Sequence, residues 1–209
     1  AGAVGLGHAR LSIIDLSGGT QPLINERAGC VAVVNGEFYD YEKTRSQLQK
    51  EGFTFKTQSD SEILIPLWEK YGTECVHHLR GEFAFALWDY RKEVLFVARD
   101  RFGIKPLYYT NHNGRWIFAS EVKAIKALGV PIEFNDLSVQ LAFTYGLNDT
   151  QTLLKRISQL APGHLMVISG KNVNSRKYWD FNYPEQGHTS NMAFEEAKEE
   201  VQRLLLEAV

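Results

Sequence analysis

The stretch GEFAFALWDYRKEVLFVA, residues 81–98, holds two apolar runs on either side of a short polar turn. Apolar runs of this length, bounded by turn residues, are typical of a β-hairpin, so we predict strands over residues 82–90 and 93–98. The same pattern returns in residues 106–110 and 115–119, around a second polar turn. Four short strands joined by tight turns predict an antiparallel sheet in the middle of the chain.

Strands and short helices alternate upstream of this sheet. Residues 30–34 are apolar and β-branched, and they predict a strand that ends at Asn35-Gly36. Residues 42–50 predict a polar helix. Residues 53–56 alternate between apolar and polar side chains, as in a short strand.

A capping box is predicted at Ser59-Asp60-Ser61-Glu62, with Ser59 as the N-cap and Glu62 three residues later. It would open an apolar helix over residues 63–71. Pro66 lies inside this helix, and we expect a kink or an early end there because proline lacks the backbone N–H.

The chain divides into three parts. Residues 1–181 contain the strands and helices above, further helices and a last hairpin, and we expect them to form one domain. Residues 182–191 are rich in Pro, Gly, Gln, Ser and Asn, as in a linker. Residues 192–209 predict an amphipathic helix that stops without a cap, and we expect it to be the first helix of a further domain.

Composition excludes several classes of protein. The chain has 209 residues, 44% of them hydrophobic and 23% charged, and a formal net charge of −2. This balance, with no stripe of Lys or Arg, argues against a nucleic-acid partner. The apolar runs are too short for a membrane helix and no secretory leader opens the chain, so we expect a soluble cytoplasmic protein without a membrane partner. With two cysteines and no CxxC or HExxH pattern, we predict neither a disulfide framework nor a metal site.

Eight stretches between residues 5 and 181 together resemble the glutamine-hydrolysing asparagine synthetases. In chain order they are GHARLSIIDL (7–16), NGEFY (35–39), SDSE (59–62), GEFAFALWD (81–89), ARDRFGIKPLYY (98–109), FASE (118–121), LAPGH (160–164) and YWD (178–180). The resemblance implies that residues 1–181 form a class II glutamine amidotransferase domain of the N-terminal-nucleophile type. It also implies a four-layer αββα sandwich, in which two antiparallel sheets lie between helical layers.

Two features depart from the family pattern. The family nucleophile is a cysteine at the mature N-terminus, upstream of the stretch that begins at Gly7, whereas this sequence starts Ala1-Gly2-Ala3. Neither Cys30 nor Cys75 matches its position, so we expect the catalytic cysteine and the first strand to be absent and the chain to be inactive alone. The family's ATP-binding loop would follow residue 209, so ATP and Mg are expected in a synthetase domain of the same polypeptide, and no cofactor is expected in residues 1–209.

Asn35 and Gly36 are the candidate catalytic residues. A thiolate that attacks the glutamine amide forms a tetrahedral oxyanion, which needs preorganised hydrogen-bond donors. The Asn35 side-chain amide and the Gly36 backbone N–H supply two such donors. The alternative is that Asn-Gly is only a turn dipeptide; within NGEFY, the oxyanion hole is the better interpretation.

The candidate substrate pocket follows from the resemblance. Arg10 suits the carboxylate of free glutamine, while Asp60 and Glu37 suit its ammonium group. The alternatives are a surface arginine and an aspartate that complements a helix dipole. The full predicted pocket is Arg10, Leu11, Ser12, Ile13, Ile14, Asn35, Gly36, Glu37 and Asp60. Arg99, Asp100, Arg101 and Lys105 form, out of context, a surface charge run; by resemblance their loop is structural and none of them is catalytic.

Three functions remain open. The first is the glutaminase part of a ligase of asparagine biosynthesis, which supplies ammonia for ATP-dependent amidation of aspartate. The second is the amidotransferase part of a natural-product ligase with another acceptor. The third is a non-catalytic module that binds glutamine or forms dimer contacts. The expected partners are glutamine, the synthetase domain and, in one possibility, a second copy of the chain.

Overall fold

Nine strands form two antiparallel sheets in this computed structural model, which describes residues 4–9, 19–185 and 191–208. The larger sheet has the order β1-β2-β3-β4-β8-β9 and the smaller sheet has the order β6-β5-β7. The strands are β1 Leu23–Asn25, β2 Cys30–Phe38, β3 Gly81–Asp89, β4 Val94–Arg99, β5 Tyr108–His112, β6 Arg115–Ala119, β7 Ser158–Gln159, β8 His164–Ser169 and β9 Asn172–Lys177.

Five α-helices and two 3₁₀-helices accompany the sheets in the part of the chain described. They are α1 Tyr41–Lys50, a 3₁₀-helix Asp60–Ile63, α2 Leu64–Tyr71, a 3₁₀-helix Gly72–His78, α3 Val122–Ala127, α4 Asp136–Thr144 and α5 Phe194–Ala208. In α5 no residue is buried. Within the described ranges, no helix has both the length and the apolarity needed to cross a membrane.

The buried apolar residues define the layers of a sandwich. One cluster joins the larger sheet to α1 and α2, with Leu48, Trp68 and Phe96 among its members. A second cluster fills the space between the sheets and includes Ala86 and Val97 of the larger one, with Tyr109, Trp116 and Phe118 of the smaller one packed against it. A third holds α3 on the outer side of the smaller sheet through Ile125. The α+β sandwich expected from the resemblance is confirmed.

The four central strands do not form one sheet, contrary to the prediction from their turns. β3 and β4 belong to the larger sheet, while β5 and β6 belong to the smaller one. The chain crosses between the sheets through residues 100–107, where a buried carboxylate, Asp100, binds four backbone N–H groups. Hairpin pattern alone does not reveal this crossing.

Two local predictions around Glu62 are wrong. Residues 53–56 form no strand, because the Glu62 carboxylate accepts hydrogen bonds from the N–H groups of Lys56, at 2.6 Å, and Thr57, at 2.8 Å. The capping box does not form either. Glu62 binds Lys56 and Thr57 instead, and Ser59 precedes a 3₁₀-helix without a capping hydrogen bond from its side chain. The expected break at Pro66 is also wrong, since α2 begins at Leu64 and the proline occupies its first turn, where no N–H is needed.

Candidate active site

Asn35, Gly36 and Glu37 lie inside strand β2, which continues to Phe38 rather than ending at the Asn-Gly pair. Along β2, Ala32, Val34 and Phe38 are buried against the helical layer. Side chains alternate between the two faces of a strand, so Asn35 and Glu37 lie on the opposite face, which is partly exposed here. The predicted end of the strand at Asn35-Gly36 is therefore wrong, and the alternative of a turn dipeptide does not hold either, because the pair lies within a strand.

Gly36 has a backbone conformation that other residues rarely adopt. Its φ is +135°, and a Cβ built on it would lie 1.9 Å from the carbonyl oxygen of Glu82 on β3. Gly81 mirrors it on the neighbouring strand: its φ is +142°, and its Cβ would lie 2.1 Å from the Glu37 carbonyl oxygen. At both positions the positive φ would turn a Cβ into the backbone of the neighbouring strand, so the strands can lie this close only with glycine there.

The backbone just before Asn35 is held by a side chain. The Gln21 amide nitrogen donates to the Val34 carbonyl at 3.0 Å, and its oxygen accepts from the Val34 N–H at 2.6 Å. Beyond the end of β1, the Gln21 side-chain amide thus makes the two hydrogen bonds to β2 that a neighbouring strand would otherwise make. This fixes β2 where the candidate oxyanion donors begin, a contact that no sequence motif indicated.

Asp60 is 4% exposed, and its Oδ2 accepts a hydrogen bond from the Phe38 N–H at 2.7 Å. The contact joins the start of the 3₁₀-helix to the end of β2, so it brings Asp60 close to residues 35–37. Ser59 and Ser61 hydroxyls lie 3.4 and 3.5 Å from the other carboxylate oxygen. Asp60 therefore holds the end of β2 in place, whether or not it also meets a ligand.

The apparent surface charge run at Arg99 and Asp100 is buried. Asp100 is fully inaccessible to solvent and accepts from the N–H groups of Phe83, Phe102, Ile104 and Lys105 at 3.0 to 3.3 Å. Arg99 is 7% exposed and donates to carbonyl oxygens around the same loop. Burial lowers the pKa of Arg99 from its usual value, an effect that the Asp100 charge opposes. Both side chains are structural, in agreement with the resemblance.

Two carboxylates and one cation meet at the ends of β2 and β3. Glu37 and Glu82 are directly opposite each other in the strand register. Lys105 Nζ lies 2.9 Å from Glu82 Oε1. The pKa of the nearby Tyr39 phenol is raised, first by desolvation and then by the charges of Glu82 and Glu37. The sequence predicted neither Glu82 as a site residue nor its ion pair with Lys105, because the register between strands cannot be read from the sequence.

Arg10, Leu11, Ser12, Ile13 and Ile14, predicted for the substrate pocket, lie outside the described residues. Of the predicted site, the structure brings together Asn35, Gly36, Glu37 and Asp60. Their surroundings also include Glu82, Lys105 and the Asp100 loop.

Both cysteines of the chain are structural. Cys30 is 1% exposed, and burial, with a smaller contribution from Asp89, raises its pKa to about 12. Cys75 is fully buried, and burial raises its pKa further still. A nucleophilic thiol needs exposure and a lowered pKa, so neither residue can attack a substrate amide. Across the described part of the chain, no cluster of three His, Cys, Asp or Glu side chains could hold a metal ion.

A cavity of about 1110 Å³ opens between the two sheets, but it does not coincide with this site. Its lining includes Leu6, Val33, Leu95, Trp116 and Phe118, and none of the site residues within the described ranges, Asn35, Gly36, Glu37 and Asp60. The cavity reaches β2 at Val33, two residues before Asn35, so it lies on the same face of the larger sheet.

Comparisons with known proteins agree with the resemblance. A family model described as a glutamine amidotransferase domain matches residues 1–179. The chain is 43% identical over 213 aligned residues to the amidase Chry2 of Gibberella zeae, covering 99% of this chain and 31% of that protein. It is 35% identical to the glutamine-hydrolysing asparagine synthetase 3 of Bacillus subtilis, covering 97% of this chain and 33% of the relative.

Solved structures share the fold at low sequence identity. The allosteric regulatory enzyme of purine biosynthesis superposes with a TM-score of 0.60 at 22% identity, covering 82% of this chain and 34% of that one. The glutamine phosphoribosylpyrophosphate amidotransferase of B. subtilis gives a TM-score of 0.56 at 20% identity, covering 76% and 32%. The chain thus spans about a third of the length of the relatives it matches.

Proposed function

Because this chain belongs to the glutamine amidotransferase domain family and is related to the asparagine synthetases, we propose that the end of β2 forms the glutamine site of a glutaminase. In the proposed reaction a cysteine thiolate adds to the side-chain amide carbon of glutamine. Collapse of the tetrahedral oxyanion expels ammonia, whose third proton comes from the enzyme, and leaves a thioester. Water then hydrolyses the thioester to glutamate and the free thiol.

The backbone at Gly36 is the observation that carries this proposal. Strained conformations persist where the surrounding structure enforces them, and they concentrate at active sites. Here the strain holds the Asn35 amide and the Gly36 N–H beside each other on a strand that Gln21 and Asp60 fix on both sides. Two donors in a rigid setting are what a developing oxyanion requires.

The remaining parts of the proposed site have separate tasks. Glu37 and Asp60 would receive the ammonium group of glutamine, and Arg10 its carboxylate. The nucleophile is assigned to a cysteine outside residues 1–209, because Cys30 and Cys75 are buried with raised pKa values.

The fate of the ammonia is a finer proposal. The asparagine synthetase relatives support amidation of aspartate in an ATP- and Mg-dependent synthetase domain of the same polypeptide. In that arrangement residues 182–191 are the linker and α5 opens the synthetase domain. Two relatives, at 43% and 42% identity, are named amidases rather than asparagine synthetases, so the second candidate is the amidotransferase part of a ligase with an acceptor other than aspartate. Assaying the full-length protein with ATP and a panel of carboxylic acids separates the two.

Substitution of Asn35 in the full-length protein tests the glutaminase proposal. Asn35→Ala removes an oxyanion donor, so kcat for ammonia release is expected to fall by about 10²–10³ while KM for glutamine stays within about threefold. Asn35→Asp is expected to be worse, because it places a negative charge beside the oxyanion. Arg10→Ala, by contrast, is expected to raise KM more than it lowers kcat, since its contact exists in the ground state as well.

Two results would contradict the proposal. If Asn35→Asp keeps nearly full activity while Asn35→Ala lowers only the melting temperature, Asn35 merely shapes the strand. If the full-length wild-type protein binds glutamine without releasing ammonia, the chain is the non-catalytic module instead.

A further inference from the structure

Glu37 and Glu82 are an unfavourable pair unless a cation joins them. Residues directly opposite in an antiparallel pair have Cβ atoms about 4.5–5.5 Å apart, and like charges at that distance destabilise the sheet. The register places these two glutamates opposite each other, on strands whose backbones approach closely at Gly36 and Gly81. Desolvation is the first cause of the raised pKa of the Tyr39 phenol, and the charges of both glutamates add to it, so the carboxylates share one local environment.

Lys105 neutralises one of the two carboxylates and not the other. Its Nζ is 2.9 Å from Glu82 Oε1, and the two side chains are 29% and 25% exposed. Among residues 4–9, 19–185 and 191–208, no cation is ion-paired with Glu37. Taken by themselves, Glu37, Glu82 and Lys105 carry one net negative charge.

The Lys105–Glu82 ion pair is anchored by the interior of the protein. Asp100 Oδ2 accepts from the Lys105 N–H at 3.0 Å and from the N–H of Phe83, next to Glu82, at 3.3 Å. Arg99 Nε also donates to the Lys105 carbonyl at 2.8 Å. The backbones that carry the two partners are thus tied to one buried carboxylate, so this pair is better fixed than an ordinary surface ion pair.

We propose that Lys105, acting through Glu82, is a positioning residue that keeps Glu82 from competing with Glu37 and Asp60 for the ammonium group of glutamine. This inference rests on the proposed function. Lys105 has no direct contact with the ligand in this role. Its effect is to occupy Glu82, so that the ammonium group is directed to Glu37 and Asp60 rather than to Glu82.

Charge arithmetic predicts a reciprocal pattern of substitutions. In Lys105→Gln, Glu82 loses its partner and competes with Glu37 for the ammonium group. In Glu82→Gln, Lys105 loses its partner and forms an ion pair with Glu37 instead. The Glu37 carboxylate is then already neutralised when glutamine binds. In the double variant neutral amides replace both the competing carboxylate and the cation, so Glu37 and Asp60 again receive the ammonium group.

Steady-state ammonia release by the full-length protein tests this pattern. Each single variant is expected to raise KM for glutamine by about three- to tenfold, with kcat within about twofold of wild type. The double variant is expected to return KM to within about twofold. The matched control is the Lys70–Glu51 ion pair at 2.6 Å, whose side chains are 32% and 29% exposed and lie outside the site. Lys70→Gln, Glu51→Gln and their double variant are expected to leave KM unchanged.

The outcomes separate this inference from the proposed function. If the wild-type protein releases ammonia but the single variants keep its KM, or the double variant is no better than the singles, the positioning role is wrong and the glutaminase stands. A fall in melting temperature with KM unchanged likewise indicates a purely structural ion pair and overturns the inference. If the wild-type protein releases no ammonia, the proposed function fails first and the inference fails with it.

Discussion

Replacing Gly36 by alanine tests whether the close approach of β2 and β3 holds the candidate site together. The substitution adds one methyl group at a φ of +135°, and that group would lie 1.9 Å from the Glu82 carbonyl oxygen and 2.8 Å from the Phe83 Cα. Contacts this short involve backbone atoms, so no side chain can move aside to relieve them. The strands themselves must part.

The expected loss of stability has two components. An L-residue in a positive-φ conformation costs about 1–2 kcal/mol. Separating the strands weakens backbone hydrogen bonds, each with a net value of about 1 kcal/mol, and we expect about three to be affected. The free energy of unfolding should therefore fall by about 4–5 kcal/mol, and the melting temperature by about 10 °C or more.

Gly114→Ala separates the two components. Gly114, in the β5–β6 turn, also has a positive φ, +76°, but nothing lies within 4 Å of the position that a Cβ would take there. Only the conformational cost of about 1–2 kcal/mol is expected at this position. Thermal and urea unfolding of both variants, followed by circular dichroism, gives the comparison. Equal losses in the two variants would refute the steric reasoning and, with it, the claim that this end of the sheet is unusually tight.

Three further predictions concern buried polar and thiol groups. Asp100→Asn replaces an acceptor of four N–H groups, so the free energy of unfolding should fall by at least about 3 kcal/mol. For Asp40→Asn, at an exposed ion pair, it should fall by less than about 1 kcal/mol. Similar urea midpoints for the two variants would contradict this. Cys30 and Cys75 should resist iodoacetamide at pH 8 in the native protein and react after denaturation, so rapid native labelling would show that a thiol is accessible. Although burial acts to raise the pKa of Asp89, hydrogen bonds from the Trp68 side chain and the Lys92 backbone hold it below the usual value. The resulting stabilisation is present above about pH 4 and lost as the pH falls through the lower folded-state pKa, so Asp89→Asn should flatten acid unfolding in that window; an unchanged acid profile would refute it.

Local patterns predicted the strands well where hairpins are closed by short turns. Strand β6 has the predicted bounds, residues 115–119, and the bounds of β3 and β4 each differ from the predicted ones by one residue. These elements depend on alternation and turn chemistry, which neighbouring residues determine. The error at residues 53–56 has the opposite origin, since the carboxylate of Glu62, six residues further on, accepts the N–H of Lys56, the last residue of the predicted strand.

The division of the central strands between two sheets could not be predicted from turns. It depends on the loop after β4, whose charged residues resemble a solvated surface until the fold buries them. Asp100 accepts four backbone N–H groups within and beside that loop, and Arg99 donates to three carbonyl oxygens around it. Burial of a charge is determined by tertiary structure, so the sequence pattern and the structure differ most where polar residues have structural roles.

The candidate site likewise has residues that the sequence could predict and one that it could not. The motifs pointed to Asn35, Gly36, Glu37 and Asp60, whose proximity the structure now provides through the Phe38 N–H. They could not point to Glu82, because its position opposite Glu37 follows from the register of β2 and β3, which many side-chain contacts determine together.

Two buried carboxylates explain why this end of the sheet can be both strained and rigid. Asp60 binds the N–H at the end of β2, and Asp100 binds the N–H of Phe83 near the start of β3. Both use backbone donors, so the strand ends are fixed without engaging the polar side chains beside them. Asn35 and Glu37 consequently keep their functional groups available on a backbone that does not need to reorganise, and preorganised donors are the ones that stabilise a developing charge most. The strain at Gly36 is tolerated because these bonds hold the two strand ends from both sides.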